Sequence, residues 1–155
     1  MIDLYDELHR LVRALDAAGV AYALVGGLAV SLHARARSTD DIDLLIAEGG
    51  LAAAALALSP LGYEARMAPF AVAKGRLRIQ RFLKTVAAEI VLVDALLARE
   101  PEHLEMLARA ISLESESGGL RVVTRDDLRS LKRLRGSPQD LADVAALDAG
   151  EVDPS

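Results

Sequence analysis

The chain has 155 residues, of which 52% are hydrophobic, and it contains no cysteine. This length suits one domain with its own core, and the lack of cysteine excludes a disulfide framework and a thiolate zinc site. The formal net charge of −5 argues against general coating of nucleic acid, which requires a basic surface. Without a signal-peptide pattern or an apolar run of membrane-spanning length, we expect a cytoplasmic protein with one domain over residues 1–150 and a frayed tail over 151–155.

The first two thirds of the chain are predicted to alternate between helices and strands. Apolar residues recur at helical spacing near the start, and shorter apolar runs bounded by glycine or proline predict strands further on. The predicted helices cover residues 3–18, 28–34 and 51–58, and the predicted strands cover 20–25, 41–46, 63–67, 76–84 and 89–95.

The last third is predicted to be mostly helical. A helix over 101–110 has Pro101 at its first turn, a polar turn over 115–119 follows, and residues 120–123 form a short extended piece. Thr124 is expected to cap a helix that ends at Gly136. A final helix, capped by Ser137 and with Pro138 at its first position, runs to about residue 147. The pattern therefore favours a mixed sheet followed by helices.

Two carboxylates share one face of a predicted strand in the segment Asp41-Ile42-Asp43-Leu44-Leu45-Ile46. Side chains at positions i and i+2 of a strand point to the same side, so Asp41 and Asp43 stand together while the apolar residues pack. Two like charges on an apolar strand repel each other and resist desolvation. A divalent cation, which prefers oxygen ligands, is the simplest compensating group.

A glycine pair lies where a predicted strand gives way to a helix. Gly26 and Gly27 would let the backbone approach a ligand closely, and the first N–H groups of the following helix carry a partial positive charge. The chain has neither a Walker lysine motif nor a complete G-x-G-x-x-G motif, so this turn is neither a P-loop nor a Rossmann site. Together with the two aspartates, it predicts a site for a metal-bound nucleotide.

This ordered combination resembles the minimal nucleotidyltransferases of the DNA polymerase beta superfamily. Their signature is Gly-Gly or Gly-Ser, a spacer, and then Asp-x-Asp or Asp-x-Glu on the next strand; here thirteen residues separate Gly27 from Asp41. Residues 25–30 and 37–45 look like the branch that holds AbiEii-type toxins and MNT-type antitoxins. Residues 132–143 are similar to the segment that closes AbiEii-like domains, so the resemblance extends from about residue 20 to residue 147.

The resemblance implies an α/β (α+β) nucleotidyltransferase fold, in which a small mixed sheet is flanked by helices and a helical C-terminal portion closes the cleft. The implied reaction moves a nucleoside monophosphate from an NTP to an acceptor hydroxyl, with two Mg²⁺ ions, or Mn²⁺, as cofactors. The acceptor would be tRNA or a partner toxin protein in a toxin–antitoxin or phage-defence system, and related resistance enzymes modify drugs. A homodimer or a toxin–antitoxin complex is compatible with so short a chain. The alternative is a non-catalytic nucleotide-binding antitoxin or sensor.

A two-metal site usually takes a third carboxylate from a neighbouring strand. Asp94 is the candidate, because apolar residues precede and follow it. Glu89 is the other acidic residue of that strand, but it points to the opposite face and lies at the wetter end. Asp94 could instead be an N-cap if residues 95–99 were helical.

The resemblance also implies four further nucleotide contacts. Lys132 would contact the triphosphate, Arg37 and Thr39 precede the aspartates where relatives carry a similar pair, and Ser31 lies one turn after the glycines, although relatives often place serine at the second glycine. Lys132 could instead simply satisfy the end of its helix.

We interpret two acidic residues of the last predicted helix as structural residues that pair with a nearby cation. Asp140 and Asp143 share one helical face and are expected to pair with Arg133 or Arg135.

Overall fold

A seven-stranded mixed sheet lies at the centre of the computed structural model, which describes residues 2–34, 40–115 and 118–152. The strands are β1 (Tyr22–Val25), β2 (Asp41–Ala47), β3 (Phe70–Val72), β4 (Leu77–Val86), β5 (Glu89–Ala98), β6 (Ile111–Ser115) and β7 (Gly118–Val122). The helices of the described residues are α1 (Leu4–Ala17), α2 (Gly26–His33), α3 (Leu51–Leu58), α4 (Pro101–Ala108), α5 (Arg125–Arg135) and α6 (Pro138–Val152). The predicted mixed sheet flanked by helices is confirmed.

The strand order is β3-β4-β5-β2-β1-β7-β6. The β2–β5 and β1–β7 pairs are parallel and the other pairs are antiparallel. Because β2 lies between β1 and β5, it is covered on both edges, and its apolar side chains Ile42, Leu44, Leu45 and Ile46 are buried. The two aspartates of β2 are thereby fixed near the middle of the sheet.

Several helices begin and end where the sequence predicts. Asp3 caps α1 by accepting hydrogen bonds from the Tyr5 and Asp6 amides, and α1 buries Leu8, Leu11 and Leu15 in the core. Thr124 caps α5, and Gly136 ends it in the left-handed conformation. The helices α5 and α6 pack against each other and against α2, so the C-terminal part lies beside the glycine turn.

The predictions for short strands were less accurate. Residues 63–67 form no strand and contribute only an isolated bridge between Glu64 and Leu83, whereas the three-residue strand β3 was missed. The last third is not only helical, because β6 and β7 form a hairpin that extends the sheet. Gly118 and Gly119 suggested a turn, but they belong to β7.

The strand that carries Asp94 is longer than predicted, since β5 continues to Ala98. Asp94 is therefore in the middle of a strand, and the alternative that it caps a helix was wrong. The neighbouring strands β2 and β4 provide hydrogen-bond partners on both edges of β5, which keeps residues 95–98 extended.

Among the helices described here, none has both the length and the apolar character that crossing a bilayer requires.

Candidate active site

Three carboxylates lie on one face of the sheet. Asp41 and Asp43 are two positions apart on β2, and Asp94 on β5 is the direct register partner of Asp43. On the other edge of β2, Asp43 is opposite Val25, the last residue of β1. The parallel pairing of β2 and β5 thus brings together side chains that are about fifty positions apart in the chain.

Burial and mutual repulsion govern the charge of this group. The pKa of Asp43 is raised to about 7, first by burial and then by the nearby charges of Asp94 and Asp41. Arg135 and Lys132 act in the opposite direction without cancelling these effects. The pKa of Asp41 is also raised, again first by burial and then by Asp94. A cation beside Asp41 and Asp43 would relieve this cost, so the two carboxylates fit a divalent metal ion with oxygen preference.

The glycine turn lies directly against Asp43. Gly26 has a φ of +73°, and a Cβ built on it would be 2.1 Å from Asp43 Oδ2. Gly26 is also the first residue of α2, and its N-cap residue Val25 has no side-chain oxygen with which to satisfy the first N–H groups of the helix. The turn therefore places helix N–H donors beside the carboxylates, as predicted, although α2 starts at Gly26 and not at residue 28.

Ser31 lies one turn further along α2. Its hydroxyl donates a hydrogen bond to the Gly27 carbonyl oxygen at 3.2 Å. Such a bond to the carbonyl four residues earlier is common for serine inside helices. Its predicted contact with phosphate stays a prediction, and Arg37 and Thr39 lie outside the described residues.

Asp94 is engaged by an arginine that the sequence did not indicate. Arg81 Nε donates to Asp94 Oδ1 at 2.8 Å and Arg81 Nη2 donates to Asp94 Oδ2 at 2.9 Å. Each carboxylate oxygen thus accepts one hydrogen bond from the guanidinium. In residues 2–34, 40–115 and 118–152, no three acidic or histidine side chains come together in a group that could hold a metal. The role of Asp94 as a third metal ligand stays a prediction.

Glu89, the alternative to Asp94, lies at the exposed start of β5. Its Oε2 accepts a hydrogen bond from the Ile2 amide at 3.0 Å. Since it is an odd number of positions from Asp94, it points to the opposite face of the sheet.

A pocket connects the glycine turn with α5. It is lined by Val25, Gly26, Asp43, Leu96, Leu128, Leu131, Lys132 and Arg135. Lys132 is buried, while Arg135 is exposed at the rim. Lys132 thus lines the same pocket as Gly26 and Asp43, and its predicted contact with the triphosphate stays a prediction. Arg135 is an additional cation of this pocket, although the sequence suggested only that it pairs with an acid.

Lys132 is held by two acids of α6. Its Nζ lies 2.8 Å from Asp143 Oδ2 and 3.4 Å from Asp140 Oδ1. Asp140 and Asp143 do act together, but the prediction that Arg133 or Arg135 is their partner was wrong. The reason is that Lys132 lies on the buried side of α5, whereas the two arginines are exposed.

One signal could have revealed Arg81. The strands β4 and β5 form a hairpin that pairs Val86 with Glu89, and counting back along both strands places Arg81 opposite Asp94. The predicted strands, 76–84 and 89–95, leave four residues between them, whereas the hairpin loop has only two, and this difference hid the register.

No protein-family model matches the chain, and no curated protein matches it either. Solved structures do match. A provisionally named nucleotidyltransferase, TM1012 from Thermotoga maritima, has 13% identity and a TM-score of 0.65, covering 97% of this chain and 96% of that one. The lincosamide antibiotic adenylyltransferase LnuA, with lincomycin bound, has 13% identity and a TM-score of 0.58, covering 93% and 96%.

A third match is the antibiotic-resistance factor ANT(2'')-Ia. It has 18% identity and a TM-score of 0.59, and covers 92% of this chain and 80% of that one. A structure of the same factor with adenylyl-2''-tobramycin also matches. The AbiEii and MNT branch is not among these structures. At such low identity the likeness concerns the fold, and on that ground the chain has the nucleotidyltransferase fold.

Proposed function

We propose that this protein is a metal-dependent nucleotidyltransferase that moves a nucleoside monophosphate from an NTP to an acceptor hydroxyl. The observation that carries the proposal is the contact between two features that this chemistry needs. Asp43, which shares a strand face with Asp41, lies against the Gly26 turn so closely that no side chain fits there. Carboxylates for a cation and backbone donors for phosphate are therefore adjacent.

The nucleotide would be bound between the glycine turn and α5. The N–H groups of Gly26 and Gly27 at the start of α2 can donate to phosphate oxygens. Lys132 and Arg135 line the same pocket and supply positive charge. Arg135 is the more accessible of the two, because Lys132 is already paired with Asp140 and Asp143. Ser31, Arg37 and Thr39 are further proposed contacts that rest on the family resemblance.

Asp41 and Asp43 would hold Mg²⁺, or Mn²⁺ in its place. When bound, such an ion would neutralise charge on the phosphate oxygens and favour loss of the proton from the acceptor hydroxyl. We propose Asp94 as the carboxylate of the acceptor side, where a second ion would bind. This assignment is supported by its register pairing with Asp43.

The reaction would require little covalent participation by the protein. The acceptor oxygen forms a bond to the α-phosphorus, the bond from that phosphorus to the bridging oxygen breaks, and pyrophosphate leaves with the electron pair. The hydroxyl proton is lost to a base. The residues of the pocket contribute by positioning and by balancing charge.

The acceptor would be tRNA or a partner toxin protein in a toxin–antitoxin or phage-defence system, as the resemblance to AbiEii-type and MNT-type proteins suggests. An antibiotic is the competing acceptor, because lincomycin and a tobramycin adduct are bound by proteins of the same fold. A second copy or a partner protein would complete the acceptor side.

A non-catalytic nucleotide-binding antitoxin or sensor is the second candidate function. One observation favours it, namely that both oxygens of Asp94 are bound by Arg81. A protein that used only Asp41 and Asp43 could bind a metal–nucleotide complex without transferring it.

Transfer of label decides between the two candidates. The protein is incubated with each α-labelled NTP, Mg²⁺ and a lysate of its own organism, and the products are separated into RNA and protein. Wild type should label a discrete acceptor, and the double variant Asp41→Asn, Asp43→Asn should not. Glu89→Gln is the matched control and should label normally, because Glu89 lies on the other face of β5.

Persistent label in the double variant would contradict catalysis by these carboxylates. If no NTP gives label, a thermal melt with NTP and Mg²⁺ shows whether the nucleotide is still bound. Stabilisation of the wild type without transfer would favour the sensor or antitoxin function.

A further inference from the structure

We propose that Arg81 is a positioning residue that holds the acceptor-side carboxylate Asp94 in the ligand-free protein and must release it before a second cation binds there. This inference rests on the proposed function, since it concerns the same site. It assigns a role to a residue outside the glycine and aspartate motifs.

Asp94 lies between a positively charged side chain, Arg81, and another carboxyl group, Asp43. On one side the Arg81 guanidinium donates to both of its oxygens, at 2.8 and 2.9 Å. On the other side Asp43 is its register partner on β2. The Asp94 side chain is 8% exposed, so water does little to solvate its charge. Arg81 is therefore the neutralising partner of this carboxylate in the absence of a metal ion.

A metal ion and Arg81 compete for the same atoms. A cation at Asp94 needs at least one oxygen that now accepts a charge-assisted hydrogen bond from the guanidinium. The positive charge of Arg81 would also repel an ion placed beside it. The ion pair of Arg81 is made with Asp94, so the first cation is expected beside Asp41 and Asp43.

Arg81 is able to leave without disrupting the core. Its side chain is 37% exposed, in contrast to that of Asp94. Its guanidinium carbon also lies 5.9 Å from the centroid of the Phe70 ring on the edge strand β3, a distance at which cation–π attraction operates. Because the contact with Phe70 exists together with the ion pair to Asp94, it is the exposed side of Arg81 that offers the guanidinium another position. The arrangement predicts that the two cations bind in order, first at Asp41 and Asp43 and then at Asp94.

Titration with Mn²⁺ alone, followed by calorimetry and by the electron paramagnetic resonance of the free ion, tests this order. Wild type should bind one Mn²⁺ with measurable affinity. Arg81→Gln should bind two, with the affinity at the second site raised about tenfold or more, which corresponds to about 1.4 kcal/mol. Adding Asp94→Asn to Arg81→Gln should remove the second site again.

Arg78→Gln is the matched control. Arg78 is also a half-buried arginine of β4 in an ion pair, at 2.7 Å from Glu48, but it lies on the other face of the strand. The Arg78→Gln variant should bind the same number of Mn²⁺ ions as the wild type, with the same affinity. If Arg81→Gln fails to fold, Arg81→Lys retains the charge but loses the bidentate geometry, and it should show a smaller rise in the second affinity.

The results separate this inference from the proposed function. If wild type binds one Mn²⁺ that Asp43→Asn removes, while Arg81→Gln and Arg81→Lys bind as the wild type does, the role of Arg81 is overturned and the metal site stands. If neither the wild type nor any of the variants binds Mn²⁺, both the inference and the metal dependence of the proposed function are overturned. A wild type that already binds two ions with equal affinity also overturns the role of Arg81.

Discussion

Gly26 is the residue at which backbone conformation and site geometry meet. Its φ of +73° is costly for any residue with a Cβ, and that Cβ would be 2.1 Å from Asp43 Oδ2. We therefore expect Gly26→Ala to lower the free energy of unfolding by about 2 kcal/mol or more, and to weaken NTP binding. Urea denaturation measures the first effect and calorimetry the second.

Gly49→Ala provides the comparison for this substitution. A Cβ at Gly49 meets no atom within 4 Å, so its free energy of unfolding should stay within about 0.5 kcal/mol of the wild type. Equal stability of the two variants would show that the contact between the turn and Asp43 is looser than described.

Asp43 should make stability depend on pH in the metal-free protein. Its folded pKa of about 7 exceeds the unfolded value of about 3.9, so between these values the folded state binds more protons than the unfolded state. The free energy of unfolding contributed by this group therefore falls as pH rises from 4 to 7, and levels off above 7. Across that window the free energy of unfolding of Asp43→Asn should rise relative to that of the wild type by on the order of 4 kcal/mol, since each pKa unit corresponds to about 1.4 kcal/mol.

Chemical denaturation at several pH values in EDTA measures this difference. Asp16→Asn, on the exposed side of α1, should run parallel to the wild type. A constant difference between Asp43→Asn and wild type from pH 4 to 8 would mean that Asp43 titrates normally.

At the scale of elements, Lys132 joins α5 to α6. Its ion pairs with Asp140 and Asp143 are buried, and removing the lysine would take from both acids the ammonium group that they share. Lys132→Met should lower the free energy of unfolding by about 3 kcal/mol, as measured by urea denaturation. Arg133→Met, an exposed position on the same helix, should change it by less than about 0.5 kcal/mol.

The same pair of variants bears on the predicted phosphate contact. If Lys132→Met lost NTP affinity but kept wild-type stability, Lys132 would be primarily a ligand contact and the scaffold role would be wrong. Loss of both would indicate that the lysine serves the pocket through the position of α5.

At the scale of the whole molecule, long-range pairing assembles both the site and its support. Glu7 of α1 accepts a hydrogen bond from the Tyr63 hydroxyl at 2.6 Å. It also forms an ion pair with Lys84 of β4, at 3.0 Å. These contacts span 56 and 77 positions of the chain. They fix α1 to the half of the sheet that contains β4, and so stabilise the strand that carries Arg81.

The sequence alone determined the features that depend on local pattern. The apolar spacing of α1, the cap Thr124 and the stop at Gly136 follow from short-range physics, and the structure confirms them. The placement of Asp41 and Asp43 on one strand face follows from the alternation of side chains. The nucleotidyltransferase fold was expected from the family resemblance that the ordered glycine turn and aspartate strand carry.

Only the tertiary structure decided which partners these residues have. The pairing of Arg81 with Asp94 needs the register of the β4–β5 hairpin, and the pairing of Lys132 with Asp143 needs the packing of α5 on α6. The weak strands β3, β6 and β7 form because neighbouring strands supply hydrogen bonds, which local propensity does not encode. Charge neutralisation acts through space between residues distant in sequence, and for that physical reason the composition of the site, beyond its motif, was decided by the fold.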